Sequence, residues 1–193
     1  IAVAKARSQS KTIISVTRYG NVIFSRGSVV PLFRDKILNN FPLPITEPSM
    51  TRFIMTLKEA MELVFFAFEN SKGGEIFVQK SPACRIDTLA LAMKKLYKSN
   101  VEIEQIGIRH GEKMYEALLS AEEYSRSEDM NDYYKILPDF RDLNYHKYLT
   151  NGDLSISQVK EYNSINTTIY GVDEVCKKLL EVAEIRKDLG MLW

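Results

Sequence analysis

Two rhythms of apolar residues alternate along this chain, the unbroken or every-other pattern of strands and the three-to-four spacing of helices. Ile13, Ile14 and Val16 form a nearly continuous apolar run and predict a strand over 12–17 that is buried on both faces. Residues 1–7 read as the tail of a helix that breaks at the polar stretch 8–11. Leu32, Phe33 and Ile37 share one face of a helix over 30–38, which Asn39, Asn40 and Pro42 stop. Pro42 and Pro44 then impose extended backbone on residues 43–46, an edge strand by pattern. Thr56 and Glu59 have capping-box spacing, and Leu57, Ala60, Met61, Val64, Phe65 and Phe68 follow as an apolar stripe expected to face the core. Ile76, Phe77 and Val78 make a short buried strand; Asp87 is the expected cap of a helix carrying Leu89, Ala92, Met93 and Leu96. Residues 101–108 read as a half-buried strand, followed by a helix with Tyr115, Leu118 and Leu119. From Ser125 to Tyr170 the pattern turns irregular and polar, and Asp173 is the expected cap of a last helix with Val175, Leu179, Leu180 and Val182. Alternating strands and helices of this kind indicate an α/β protein.

The strand over 12–17 leads into the stretch on which the chemistry converges. Gly20 and Asn21 signal a tight turn, Gly27 and Ser28 leave backbone amides open, and Val30-Pro31 follows. Ligands of open α/β sheets bind just beyond the carboxyl ends of strands, so this stretch is a candidate wall for a polar, phosphorylated ligand. An ordinary strand-to-loop connection is the alternative. Arg18, Arg52 and Arg109 stand at or beyond predicted strand ends, and a planar guanidinium suits phosphate oxygens. Glu112 follows Arg109 by three residues, where a carboxylate accepts hydrogen bonds from a cis-diol. The alternative is a surface Arg109–Glu112 ion pair with no other role.

Composition narrows the field by exclusion. The 193 residues suffice for one core, or one core with an appendage. Lys and Arg number 26 against 25 Asp and Glu, a net charge of +1 with no basic stripe, so nucleic acid is not the expected partner. The longest apolar run, Val64 to Phe68, falls far short of the roughly 20 residues that span a bilayer. Cys84 and Cys176 fit no metal or redox spacing and read as reduced thiols of a cytoplasmic protein. His110 and His146, the two histidines, have no second ligand at metal spacing. The chain has no glycine loop for a dinucleotide, and no Tyr or Met is followed four residues later by Lys. Tyr133, Tyr134 and Tyr145 therefore read as packing residues of an irregular cap. With Ile1 at its start, the chain is expected to be the carboxyl part of a longer protein.

Six motifs then occur in order: Arg18-Tyr19-Gly20-Asn21-Val22, the run from Ser25 to Phe33, Met50-Thr51-Arg52-Phe53, Phe77-Val78-Gln79-Lys80, Arg109-His110-Gly111-Glu112-Lys113 and Arg141-Asp142-Leu143-Asn144-Tyr145. Together with the run from Glu161 to Thr167, they resemble the carboxyl half of capsular polysaccharide UDP-sugar 4,6-dehydratases and epimerases. These are extended short-chain dehydrogenase/reductases, related to UDP-glucose 4-epimerase. The resemblance implies the last strands of a Rossmann-like parallel sheet plus a smaller substrate-binding α/β domain. Its expected divisions are the end of an NAD domain at 1–30, a UDP-sugar-binding domain at 31–124, and a cap with a final helix at 125–193. It also implies roles: Asn21 on the sugar diphosphate, Val30-Pro31 and Pro44-Ile45-Thr46 flanking uracil, Arg52 and Arg109 on the diphosphate, Glu112 on the ribose hydroxyls. NAD would be bound mainly outside this chain, which carries no catalytic proton-transfer group, and the full-length enzyme would be a homo-oligomer. The contrasting expectation is an inactive remnant that at most binds nucleotide sugar or serves in assembly.

Overall fold

The computed structural model describes residues 11–138 and 161–191. The helix tail expected at 1–7, the motif at 141–145 and His146 lie outside them. The elements in order are β1 (Val16–Arg18), α1 (Val29–Leu38), β2 (Leu43–Ile45), β3 (Thr51–Phe53), α2 (Leu57–Asn70), β4 (Ile76–Gln79), β5 (Ala83–Arg85) and α3 (Ile86–Leu96). They continue with β6 (Ile103–Gln105), β7 (Ala117–Leu119), α4 (Ala121–Ser125), β8 (Ser127–Met130), β9 (Tyr133–Ile136), β10 (Tyr162–Asn163), α5 (Val172–Leu179) and α6 (Ala183–Asp188). The chain divides into two compact units, one of Ile1–Tyr19, Met61–Lys80 and Ala117–Tyr162, the other of Gly20–Ala60, Ser81–Glu116 and Asn163–Trp193.

The first unit is a four-stranded mixed sheet in the order β1-β4-β9-β8. Val16 lies opposite Ile76 in the parallel β1–β4 pair, and Phe77 opposite Lys135 in the antiparallel β4–β9 pair. Leu63, Ala67 and Phe77 are buried together, with the Phe66 ring stacked on Tyr133 at 4.2 Å between centroids. Three expectations need correction here. β1 is three residues long and half-buried rather than buried on both faces, because it is an edge of the sheet among the described residues. Leu118 and Leu119 form a strand, not a helix; the helix starts later, where Ser120 and Glu123 exchange capping-box hydrogen bonds at 3.2 and 3.1 Å. Tyr133 and Tyr134 belong to a regular β8–β9 hairpin, turned by Asn131 at a φ of 64°, where an irregular cap was expected.

The apolar stripe of α2 is the fourth correction. Ala60, Leu63 and Ala67 face inward, whereas Leu57, Met61, Val64, Phe65 and Phe68 are exposed, Phe68 to 86%. The helix is apolar nearly all round, and the face of Ala60, Leu63 and Ala67 is the one that packs. Five large apolar side chains on one exposed face exceed what soluble monomers ordinarily present. The purified chain is therefore expected to bind the dye ANS while folded, with Phe65→Glu and Phe68→Glu reducing the signal. A folded chain that does not enhance ANS fluorescence would refute this.

The second unit combines two short sheets with four helical segments. β2 runs parallel to β6, Leu43 opposite Ile103, and β3 antiparallel to β5, Arg52 opposite Cys84. Phe33, Leu43, Met50, Leu89, Met93, Val175, Leu179 and Ile185 share one core. Thr56 and Glu59 form the expected capping box, and the other Glu59 oxygen takes Lys178 Nζ at 2.5 Å. The two expected aspartate caps are each the second residue of their helix. Arg85 and Gly171 are the N-caps, because extended backbone ends earlier than the aspartates; Asp87 and Asp173 instead place negative charge in the first turns. The final helix is also broken in two after Leu179.

Asp188 ties α6 to α1 and to the residue that ends α3. Both its oxygens accept from Arg34, through Nε and, at 2.7 Å, through Nη2, and Tyr97 Oη donates to it at 2.6 Å. The Arg34 hydrogen bond holds the Asp188 carboxyl below its usual range despite partial desolvation. A carboxyl lowered in the folded state contributes stability above its unfolded pKa, near 4, and that stability is lost as pH falls through the folded value. Asp188→Asn is expected to lower the melting temperature at pH 7 and to flatten its decline below about pH 4. Equal acid-side slopes for the two proteins would contradict it.

Candidate functional site

All the candidate residues that converge in space do so within the second unit. Gly20 lets the chain pass directly over Phe53: a Cβ at position 20 would stand 2.4 Å from Phe53 Cβ. Two hydrogen bonds continue this alignment, Ile23 N–H to Met55 O at 2.8 Å and Met55 N–H to Asn21 O at 3.2 Å. β3 alternates in the strand manner, with Thr51 and Phe53 buried and Arg52 half-buried between them.

Beside β3 lies a cavity of about 370 Å³. Asn21, Val30, Pro44, Ile45, Thr46, Arg52, Arg109 and Glu112 line it; Pro31, in the first turn of α1, is not part of the lining. Arg18 belongs to the other unit, where it forms a two-pronged pair with Glu123 at 2.7 and 2.9 Å and donates to Leu118 O. Its role as a strand-end ligand group is thereby replaced by a structural one. Met50, Phe53, Ile54, Ile86, Leu89 and Ile106 give the cavity an apolar body, against which few polar groups stand. Ser28 Oγ is buried beside it and has no hydrogen-bond partner among the described residues.

The two cavity arginines differ in their surroundings. Arg52 Nη1 donates to Thr51 O at 2.8 Å, and Nε lies 3.4 Å from Glu116 Oε1. The Asn21 amide, with its nitrogen toward the acceptors, donates to Glu116 Oε2 at 2.7 Å and Phe53 O at 3.2 Å. Arg109 forms no ion pair among the described residues; Glu112 instead accepts the Arg109 backbone N–H at 3.1 Å and closes the turn. That leaves the Arg109 guanidinium available at the cavity. Glu116 escaped the sequence reading because the segment was assigned to a helix; the strand-like Ala117-Leu118-Leu119 after it was the available signal.

Other chemistries find less support in these side chains. No group of three His, Cys, Asp or Glu among the described residues could hold a metal ion. Burial pushes the Cys84 thiol up to about 12, which makes it unreactive. No helix among the described residues is long and apolar enough to cross a membrane. Nor do the described residues fit NAD: Gly20, the glycine nearest the end of β1, is covered by Phe53 rather than open to a pyrophosphate, and no glycine-rich strand-to-helix turn is present among them.

The polysaccharide biosynthesis protein family matches residues 1–138, and the carboxyl-terminal polysaccharide biosynthesis domain matches residues 139–186. A UDP-glucose 4-epimerase of Rickettsia felis is 49% identical over 191 residues, covering 98% of this chain and 56% of its own length. One from Rickettsia rickettsii is 48% identical over 189 residues, with 55% of its length covered. The chain thus spans about half the length of the relatives it matches. Among solved structures, Pen from Bacillus thuringiensis superposes with a TM-score of 0.77 at 31% identity, over 94% of this chain and 54% of that one. A dTDP-glucose 4,6-dehydratase from Bacillus anthracis, at a TM-score of 0.50, 16% identity and coverage of 56% and 37%, shares the fold.

Proposed function

Since the chain belongs to the polysaccharide biosynthesis protein family, in the extended short-chain dehydrogenase/reductase fold class, we propose that its second unit binds a UDP-sugar. The observation that carries this reading is the convergence of eight of the nine implied ligand residues on one cavity. Arg52 and Arg109 hold the diphosphate, Glu112 the ribose hydroxyls, and Asn21 the sugar-phosphate end. Val30, Pro44, Ile45 and Thr46 flank the uracil, while Pro31, next to Val30, fixes backbone in the first turn of α1. The relatives named UDP-glucose 4-epimerase support a UDP-hexose as substrate.

By this reading the chain supplies the substrate-binding half of an NAD-dependent UDP-sugar 4-epimerase or 4,6-dehydratase. Its setting is the cytoplasmic synthesis of a capsular or other surface polysaccharide. On the same reading this chain's part is the substrate rather than NAD or the proton-transfer groups, since no dinucleotide site forms among the described residues. The contribution of this chain is to orient the hexose and to exclude water with the apolar cavity body.

The test is calorimetry of the purified chain with UDP and with UDP-N-acetylglucosamine or UDP-glucose, alongside product analysis with NAD added. Saturable binding without turnover and without retained NAD is the expected result. Absence of UDP binding would refute the site, and turnover by the chain alone would refute the division of labour.

A further inference from the structure

We propose that Glu116, outside the cavity lining, is a positioning residue that holds Arg52 and Asn21 on one wall and leaves Arg52 a two-pronged face for an anion. This rests on reading the cavity as a diphosphate site. The backbone of Glu116 is fastened at both its peptide groups. Its N–H donates to Ser164 Oγ at 3.0 Å, and its carbonyl accepts from Ser164 N–H at 2.8 Å. Ser164 is fully buried, and its hydroxyl lies 2.7 Å from Thr51 Oγ1 and 3.2 Å from Thr51 O. A buried pair of hydroxyls thus anchors Glu116 to β3, one residue from Arg52.

From that anchor the carboxylate reaches two cavity groups at once. Oε1 faces Arg52 Nε and Oε2 accepts from the Asn21 amide. Arg52 has five N–H groups. Thr51 O takes one on Nη1 and Met50 Sδ one on Nη2 at 3.6 Å, while Nε faces Glu116 Oε1 across a 3.4 Å ion pair. One N–H remains on each terminal nitrogen, the arrangement that meets two oxygens of one phosphate. A carboxylate also repels an incoming anion. Glu116, with 35% of its side chain exposed, is screened by solvent, whereas its hold on Arg52 is direct. Positioning is therefore the larger effect.

The experiment is a double-mutant cycle on UDP affinity, measured by calorimetry at fixed salt, with melting temperatures as the check on folding. Glu116→Ala is expected to weaken UDP binding by about 5- to 10-fold, and Glu116→Gln by less than about 3-fold, because an amide of the same length still accepts from Asn21 and still turns an oxygen toward Arg52. In an Arg52→Met background, Glu116→Ala should add less than about 2-fold, since the group it positions is gone. Glu116→Asp keeps the charge and the backbone anchors but falls short of Nε, so it carries the same test if the alanine variant folds poorly; about 5-fold weakening is expected. Tighter UDP binding by Glu116→Ala would mean repulsion dominates and would overturn the proposal, as would wild-type affinity in Glu116→Asp or fully multiplicative effects in the cycle. If Arg52→Met itself leaves UDP affinity unchanged, the diphosphate reading fails instead.

Discussion

Replacing Arg52 or Arg109 with Met should weaken UDP and UDP-sugar binding by about 10- to 100-fold, since charge-assisted hydrogen bonds of about 1.5–3 kcal/mol are lost while side-chain length is kept. Arg→Lys should recover only part of the loss, because an ammonium cannot reproduce the planar fork. The two positions separate binding from stability. Arg109 has no ion pair among the described residues, so Arg109→Met should leave the melting temperature unchanged. Arg52 gives up its bond to Thr51 O and its pairing with Glu116, and a small loss of stability is expected with the loss of affinity. Glu112→Gln should have a milder effect, since an amide oxygen still accepts one ribose hydroxyl. A structural role alone predicts the reverse pattern, with stability changed by under about 1 kcal/mol and affinity untouched. Wild-type UDP affinity in both methionine variants would therefore dispose of the site as drawn.

Residues that later share the cavity were legible because their chemistry is local. Asn21, Arg52 and Arg109 follow or interrupt apolar runs, and Pro44 dictates its own backbone, so each could be placed at a strand or its end without knowing the packing. What required the fold was phase and partner. Pro31 adjoins Val30 in sequence, yet it is not part of the cavity lining. Both faces of α2 are apolar in sequence, and only packing decides that the Ala60–Leu63–Ala67 side is buried. The β8–β9 hairpin was hidden because Ser127, Glu128 and Asp129 have low strand propensity and its turn uses Asn131 and Asp132 without glycine. Its stability comes from β4 and from Tyr133 stacking on Phe66, contacts remote in sequence. Arg18 was misread for the same reason: Glu123, its partner, is 105 residues away.

Gly20→Ala tests the close approach that builds the cavity wall. The backbone at position 20 is not in the left-handed region, so alanine fits the local conformation and any cost must come from space. The new methyl would stand 2.4 Å from Phe53 Cβ and 3.1 Å from Cγ. Phe53 is fully buried and lies opposite Ala83 in the β3–β5 pair, and a Cβ cannot move away by a change of rotamer. Either β3 or the segment entering Asn21 has to shift. Overpacking of this kind costs about 1–3 kcal/mol, occasionally more, which corresponds to a fall of roughly 2–12 °C in melting temperature for a chain of this size. Because Arg52 adjoins Phe53 and Asn21 adjoins Gly20, the same displacement should weaken UDP binding. Gly27→Ala provides the contrast. Nothing lies within 4 Å of its added Cβ, but its φ is +76°, so its cost is conformational, about 1–2 kcal/mol. Asparagine tolerates that region and should restore stability at position 27, whereas no side chain should restore it at position 20. Parental melting temperature and UDP affinity in Gly20→Ala would show that Phe53 yields without consequence and that this contact does not shape the wall.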